Sequence, residues 1–208
     1  AATETGCLVA NPHSFVRRVG IEVGRLTDVP EIARPVYSAS ASKAGTQIVV
    51  DVPPLGFAWI AAAPSAGKSK KAAATLADEC LLRNEFFEAK IDPASGGLRA
   101  IHEYNARHNR LSQQLVFHSD EPHGPTYADE IGEGLPVSTV SSMVADAVET
   151  VVSTETLGEI VARGRLLDQH GRKLAGFRQT YRLWRGSRVL FLDIELEPHE
   201  ECCRDPWN

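Results

Sequence analysis

The densest group of side chains that could do chemistry lies in one stretch of the sequence, residues 118–136. The candidates are His118, Asp120, His123, Tyr127, Asp129 and Glu130. Imidazoles and carboxylates can hold a divalent cation, and carboxylates can also accept hydrogen bonds from sugar hydroxyls. The spacing matches no zinc template, so we predict no metal site. We take these residues as candidate ligand-binding residues, with a solvated acidic loop as the alternative.

The three tryptophans form a second set of candidates, because an indole ring can stack on a sugar ring. Trp59 and Trp184 lie in apolar stretches, and we predict that both belong to the core or pack between sheets. Trp207, close to the last residue of the sequence, joins the candidate ligand-binding residues.

Arrangements typical of catalysis are missing from the sequence. It contains no Gly-x-Ser-x-Gly elbow for a nucleophile. Asp78 and Glu79 precede Cys80, and neighbouring anions raise the pKa of a thiol, which disfavours the reactive thiolate. Glu195 and Glu197 are two residues apart on one face of a predicted strand, where carboxylates ordinarily meet water. We predict no catalytic residue in this chain.

The cysteines give little information about the fold. They are Cys7, Cys80, Cys202 and Cys203, and no two of them form a Cys-x-x-Cys pair. A disulfide between Cys7 and Cys80 is an open alternative to free thiols.

Composition and charge exclude several partners. The net charge is −5, and hydrophobic residues make up 43% of the chain, enough for a sizeable core. Nucleic acids and anionic membrane surfaces are bound by basic surfaces, so we expect neither as a partner. No apolar run reaches the roughly 20 residues that a membrane-spanning helix needs.

Alternating apolar and polar residues indicate the fold class. Val19, Ile21 and Val23 alternate with glycine or polar residues, and residues 87–91 repeat the pattern. Successive side chains of a strand point to opposite faces, so each run buries one face and exposes the other. Turn-forming sequences such as residues 92–97 separate the runs. The sequence therefore predicts an all-β fold, an antiparallel β-sandwich with a meander near its C-terminus.

One segment interrupts the alternation and divides the chain. Residues 61–80 combine Ala, Pro, Ser and Gly with a Lys- and Ala-rich run that has no apolar face, which is typical of a linker. We predict a small N-terminal β unit over residues 1–60, a linker over 61–80 and a larger β-sandwich over 81–208. The larger sandwich is expected to be incomplete at its C-terminal end.

Four segments, in order, carry a further pattern. They are residues 8–15 (LVANPHSF), 52–57 (VPPLGF), 82–101 (with NEFF and SGGL) and 179–194 (with QTYRLW and GS). Together they resemble glycoside hydrolase family 38, the α-mannosidases. In that family the first pattern opens a small β domain behind the catalytic barrel. The third opens a large supersandwich similar to galactose mutarotase.

The resemblance implies a non-catalytic β-sandwich region of an α-mannosidase. In that family the zinc ligands and the carboxylate nucleophile belong to an N-terminal barrel, so it implies no cofactor in this chain and zinc in the parent's catalytic domain. It also implies the barrel of the same polypeptide as a partner, with carbohydrate at the barrel's rim. Open alternatives are a free-standing carbohydrate-binding module and a mutarotase-like epimerase, which would need His102 or His170 opposite a carboxylate.

Overall fold

The structure, a computed structural model, describes residues 6–24, 26, 28–43, 45–62, 73–106, 108–119 and 139–199, with the backbone alone for 118, 119 and 139. The regular secondary structure in these ranges consists of β-strands alone, which confirms the predicted all-β class. The strands are β1 (Gly6–Asn11), β2 (Arg17–Val23), β3 (Val36–Ser42), β4 (Gly45–Val52), β5 (Gly56–Ala61), β6 (Ala77–Asp78), β7 (Leu81–Arg83), β8 (Phe87–Ile91), β9 (Leu98–Glu103), β10 (His118–Ser119), β11 (Thr139–Val140), β12 (Ser142–Ser153), β13 (Leu157–Leu167), β14 (Lys173–Trp184) and β15 (Leu190–Pro198). No helix among the described residues is long and apolar enough to cross a membrane.

The first five strands build a small sandwich. β2, β4 and β3 form a three-stranded sheet with β4 in the middle, and β1 pairs with β5 in a two-stranded ribbon. The ribbon packs on the sheet because both contribute to one apolar core, which includes Ile48, Val50 and Val52 of β4 and Ala58 and Ile60 of β5. These side chains are spaced two residues apart along each strand, as strand geometry requires.

The later strands build a larger sandwich. β6 to β9 form one four-stranded antiparallel sheet, and β12 to β15 form another. The two sheets share a core that includes Leu82 and Phe87 from the first and Ile160, Phe177 and Leu183 from the second. Strand order follows chain order in both sheets, so the meander predicted near the C-terminus is confirmed.

Trp184, the last residue of β14, joins the two sandwiches. Its side chain is only 8% exposed and packs with Val49 of β4 and Leu157 of β13. The indole covers Gly20 of β2 so closely that a Cβ atom placed there would lie 2.0 Å from the ring. The predicted packing of Trp184 between sheets is confirmed.

Polar contacts extend this junction. The hydroxyl groups of Ser38 and Thr156 lie 2.8 Å apart in a buried hydrogen bond. Thr154 Oγ1 donates to Gln47 Oε1 at 2.8 Å, and Gln47 Nε2 donates to Glu22 at 3.0 Å. Because Gln47 is fully buried, both ends of its amide need partners, and the chain of contacts supplies them.

The predicted linker, residues 61–80, is partly a structural element. β6 pairs with β7, and Leu76 is buried with its N–H donating to the carbonyl of Thr154 at 3.0 Å. Residues 73–80 thus pack with the larger sandwich, whereas residues 63–72 lie outside the described residues. Sequence reasoning missed β6 because a two-residue strand is too short to show alternation. The division of the chain into separate units stays a prediction.

Candidate functional site

The loop that supplies the predicted ligand-binding residues lies almost entirely outside the described residues. Those not described are Asp120, His123, Tyr127, Asp129, Glu130 and, at the far end of the chain, Trp207. His118 is described by its backbone, which belongs to β10 and pairs with Val140 of β11. The ligand-binding role of this loop therefore stays a prediction.

A buried asparagine, Asn11, ties together two turns of the small sandwich. Its Nδ2 donates to the carbonyl oxygens of Phe15, Val52 and Pro53 at 2.8, 3.3 and 3.0 Å, and its Oδ1 accepts from the N–H of His13 at 3.0 Å. Both ends of the amide are thus occupied. Asn11 joins the first and second of the four segments that resemble family 38.

A second buried asparagine, Asn84, ties together two parts of the larger sandwich in the same way. Its Nδ2 donates to the carbonyl oxygens of Trp184 and Ser187 at 3.2 and 2.6 Å. Its Oδ1 accepts from the N–H groups of Phe86 and Phe87 at 2.9 and 3.3 Å. Asn84 is buried and joins the third segment to the fourth.

Tyr181 adds another contact between these two segments. Its buried hydroxyl lies 2.9 Å from both the carbonyl of Gly96 and Oε1 of Gln179, and it can donate to either. Burial raises the pKa of Tyr181 far above its ordinary value, so the phenol stays a neutral donor. Gly96 has φ +77°, which glycine adopts without strain, in a turn where Asp92 accepts from Ser95 Oγ at 2.8 Å.

The histidines considered for an epimerase do not face the core of the sandwich. His102 of β9 lies directly opposite Glu88 of β8, as such a role would require. However, Phe87 and Ala89 on either side of Glu88 point into the core, so Glu88 and His102 are on the outer face of their sheet. His170 lies in the exposed turn between β13 and β14.

The two described cysteines are free thiols. Cys7 packs against the core of the small sandwich and Cys80 against that of the larger one, so the disulfide left open by the sequence does not form. Burial raises the pKa of Cys80, and the charges of Glu79 and Asp92 raise it further. The predicted effect of Glu79 on the pKa of Cys80 has this direction, but the second contributing carboxylate is Asp92 and not Asp78.

A groove lies beside the ribbon β1–β5 of the small sandwich. Its volume is about 610 Å³, and its lining includes Arg34, Pro35, Asp51, Pro53, Phe57 and Trp59. Phe57 and Trp59 are 65% and 44% exposed. They are two residues apart on β5, so both project from the outer face of the ribbon.

The indole of Trp59 lies over Gly6 of the neighbouring strand. A Cβ atom at Gly6 would come within 2.4 Å of Cζ2 of Trp59, so only glycine leaves room for the ring. Leu8, opposite Trp59 in the strand register, is 59% exposed on the same face. The ribbon thus supports one side of the indole and leaves a flat apolar surface open to solvent.

An ion pair lies on the opposite side of the small sandwich, on the face of β2 and β4 that packs toward the larger sandwich. Arg18 donates two hydrogen bonds of 2.7 Å to the carboxylate of Asp51, and its guanidinium lies 3.6 Å above the ring of Tyr37. The hydrogen bond with Asp51 raises the pKa of Arg18. Arg34 is exposed, and no described carboxylate forms an ion pair with it. Both carboxylate oxygens of Asp51 are thus occupied by Arg18, and Arg34 lines the groove as an exposed cation.

The prediction that Trp59 belongs to the core is wrong. Every side chain from residue 57 to residue 60 is apolar, so alternation cannot tell the inner face from the outer one. The register with β1 decides the matter: Ala58 and Ile60 enter the core, while Phe57 and Trp59 face outward. No local signal in these four residues gives that register.

Within the described ranges, no three His, Cys, Asp or Glu side chains are grouped so that they could hold a metal ion. Comparison with known proteins finds no family model that matches the chain and no matching curated protein. The resemblance to glycoside hydrolase family 38 therefore stays a prediction.

Proposed function

We propose that the chain is a non-catalytic β-sandwich region of a family 38-type α-mannosidase, with a galactose mutarotase-like larger sandwich, and that it supports the catalytic barrel. The observation that carries this proposal is the structural role of the buried asparagines in the four segments that resemble family 38. Asn11 and Asn84 are buried and hydrogen-bonded at both ends of the amide. Such groups hold strands in place and have no free atom for catalysis.

The pairing of the segments is a second support. Asn11 joins the first to the second and Asn84 the third to the fourth, so each sandwich contains one pair. Four short matches that arose independently would have no reason to contact one another in this way. Their contact supports a common origin in one domain arrangement.

The far end of β15 supplies a surface for a neighbouring domain. Leu190 and Leu192 pack against the larger core, whereas Ile194 and Leu196, on the same side of the strand, are exposed. The apolar side of β15 thus continues past the part that the core covers. Because exposed apolar patches often mark interfaces, we assign this end of β15 to contact with the barrel.

Hydrolysis of p-nitrophenyl α-mannoside tests the non-catalytic role. The chain should show no turnover with or without zinc, because the proposal assigns the nucleophile and the zinc ligands to the barrel. Measurable turnover that is abolished by a point substitution within this chain would overturn the proposal.

The docking role is tested in the full-length polypeptide that includes this chain. Replacing Ile194 and Leu196 with Ser should lower the melting temperature of the full-length protein and leave that of the isolated chain nearly unchanged. Glu195→Ser, on the other side of the same strand, is the matched control. Equal melting temperatures of the full-length wild type and double variant would contradict the assignment.

A further inference from the structure

The strand β5 has one edge that no other described strand covers. β1 pairs with β5 along one side, and in the described part of the chain the ribbon has no third strand. In an antiparallel pair, every second residue directs its N–H and C=O groups to the partner strand, and the residues between direct theirs to the other side. No described residue forms a backbone hydrogen bond with the outward-directed groups of β5. These groups can therefore pair with an added strand.

The groove of about 610 Å³ runs along this free edge. It touches three consecutive residues of β5, Phe57, Ala58 and Trp59, and none of β1. Ala58 points into the core and its two neighbours point outward. A groove that contacts all three must therefore follow the edge of the strand and not one of its faces. Its lining also includes Val16 and Pro53, so an extended peptide would meet backbone groups of β5 together with apolar side chains.

The free edge of β5 lacks the features that usually keep a sheet edge from pairing. The strand contains no charged residue and no proline, and its register with β1 is unbroken. Charges, prolines and bulges are the usual protection of edge strands. β12, an edge strand of the larger sandwich, has register shifts at two places. An unprotected edge beside a groove is an arrangement to which extended peptides bind by adding a strand.

The charge at the groove selects the partner. Arg34 lines the groove, is exposed and forms no ion pair with a described carboxylate. Asp51 contributes no free carboxylate, because Arg18 binds both of its oxygens. An acidic residue of a peptide can pair with Arg34, whereas a lysine at the same place would be repelled. A second copy of β5 is a poorer occupant, because this strand includes no acidic residue.

We infer that the groove binds an extended segment of a partner protein, which adds a strand to the free edge of β5 and pairs an acidic side chain with Arg34. Its apolar side chains lie beside Phe57 and Trp59. The partner segment is one in which apolar and polar residues alternate and one polar position is Asp or Glu. The inference goes beyond the support role, because it uses neither Ile194 nor Leu196 and does not depend on membership of an α-mannosidase.

The test is a titration of the ¹⁵N-labelled chain with peptides blocked at both ends. The acidic peptide alternates Val with Thr and has Glu in place of one central Thr, and the basic peptide has Lys at that position. A third peptide repeats the acidic sequence with its central backbone nitrogens methylated, which removes the donors that strand pairing needs. The acidic peptide should shift the amide resonances of β5 saturably, with a dissociation constant on the order of 0.1–1 mM. The basic peptide should bind about two- to fivefold more weakly, and the methylated peptide should not bind.

Variants locate the site. Arg34→Glu should invert the preference, so that the basic peptide binds more tightly than the acidic one. Trp59→Thr should weaken the binding of both peptides about threefold or more, because it removes apolar surface from the groove. Arg163→Glu, on the exposed face of the larger sandwich, is the matched control and should bind both peptides like the wild type. The amide spectrum of each variant verifies that it is folded.

Three results would overturn the inference. The first is the absence of saturable binding by the acidic peptide up to about 5 mM. The second is the same ranking of the acidic and basic peptides in the wild type and in Arg34→Glu. The third is equal binding of the methylated and unmethylated acidic peptides. Dimerisation of the chain through β5 without peptide binding would count as the first result and would make a second copy the occupant.

Discussion

The two sandwiches cover their outer faces in opposite ways. On the outer face of β12–β15, arginines of the central strands reach acids on the edge strands. The pairs are Arg163–Glu149, Arg165–Asp146, Arg178–Glu195 and Arg182–Asp193, at 3.1, 2.7, 3.0 and 3.3 Å. Exposed pairs of this kind contribute little to stability, since water and salt screen them. Their effect is a solvated face.

The ribbon β1–β5 has Leu8, Phe57 and Trp59 in the corresponding outward positions. Both sandwiches bury an apolar core between their sheets, so the need for burial is met in each. The difference therefore lies in what each outer face contacts. A charged face suits water alone, whereas an exposed apolar face suits a ligand or another surface.

The two tryptophans give the strongest test of this contrast, because one is buried and the other exposed. Trp184→Ala should lower the free energy of unfolding by about 3–5 kcal/mol, since it leaves a cavity between the sandwiches. Trp59→Ala should cost about 1 kcal/mol or less. Urea unfolding of both variants measures the difference. Similar losses in the two variants would remove the distinction between a core and a surface indole.

The asparagines test whether both sandwiches are held in the same way. Asn84→Ala and Asn11→Ala should each lower the free energy of unfolding by about 1–3 kcal/mol, because each leaves buried polar backbone groups without partners. Thermal unfolding at several denaturant concentrations gives both values. Asn109, whose Oδ1 accepts from Ile101 and Leu111 in an exposed turn, is the matched control and should cost less when replaced. A loss confined to one sandwich would show that the two are not built alike.

The charged face should respond to salt and the ribbon face should not. Arg163→Ala should lower the free energy of unfolding by less than about 1 kcal/mol, and the loss should shrink at high ionic strength, where the pair with Glu149 is screened. Leu8→Ser should have an effect that does not depend on salt and should reduce binding of a hydrophobic dye. Chemical denaturation at low and high salt compares the two. A salt-dependent loss for Leu8→Ser would be the unexpected result.

The smallest effect is expected from the turn at Asp92. The hydrogen bond from Ser95 lowers the pKa of Asp92, backbone hydrogen bonds and Arg99 lower it further, and burial opposes them. A carboxyl group whose pKa is lowered on folding stabilises the protein above its unfolded pKa of about 3.9, and this contribution is lost as pH falls through the native value. The stability difference between wild type and Asp92→Asn should therefore shrink below about pH 4. Growth of that difference on acidification would contradict the assignment.

Alternation predicted the fold class because most strands have one polar face. In Val19–Ile21–Val23 and Phe87–Ala89–Ile91 the intervening residues are glycine or polar, so the buried side can be identified from the sequence. It failed at β5, where both faces are apolar and only pairing with β1 distinguishes them.

The candidate groove could not be predicted for a similar reason. Arg34, Asp51 and Trp59 come from three separate parts of the small sandwich, and no spacing links them in the sequence. The glycine beneath the indole is 53 positions from Trp59, and only the antiparallel register of β1 and β5 brings them together. Contacts of this range depend on tertiary structure, which local patterns do not encode.

The close packing of Trp184 on Gly20 restricts how the two sandwiches can be recombined with other proteins. A Cβ atom at position 20 would lie 2.0 Å from the ring, so no residue other than glycine fits beneath the indole unless the two sandwiches move apart. If the small sandwich were transferred to another protein that lacks an indole at the matching position, a cavity would therefore remain above Gly20. Chimeric proteins that exchange Gly20 and Trp184 together should preserve the packing between the two sandwiches, and those that exchange only one of them should not.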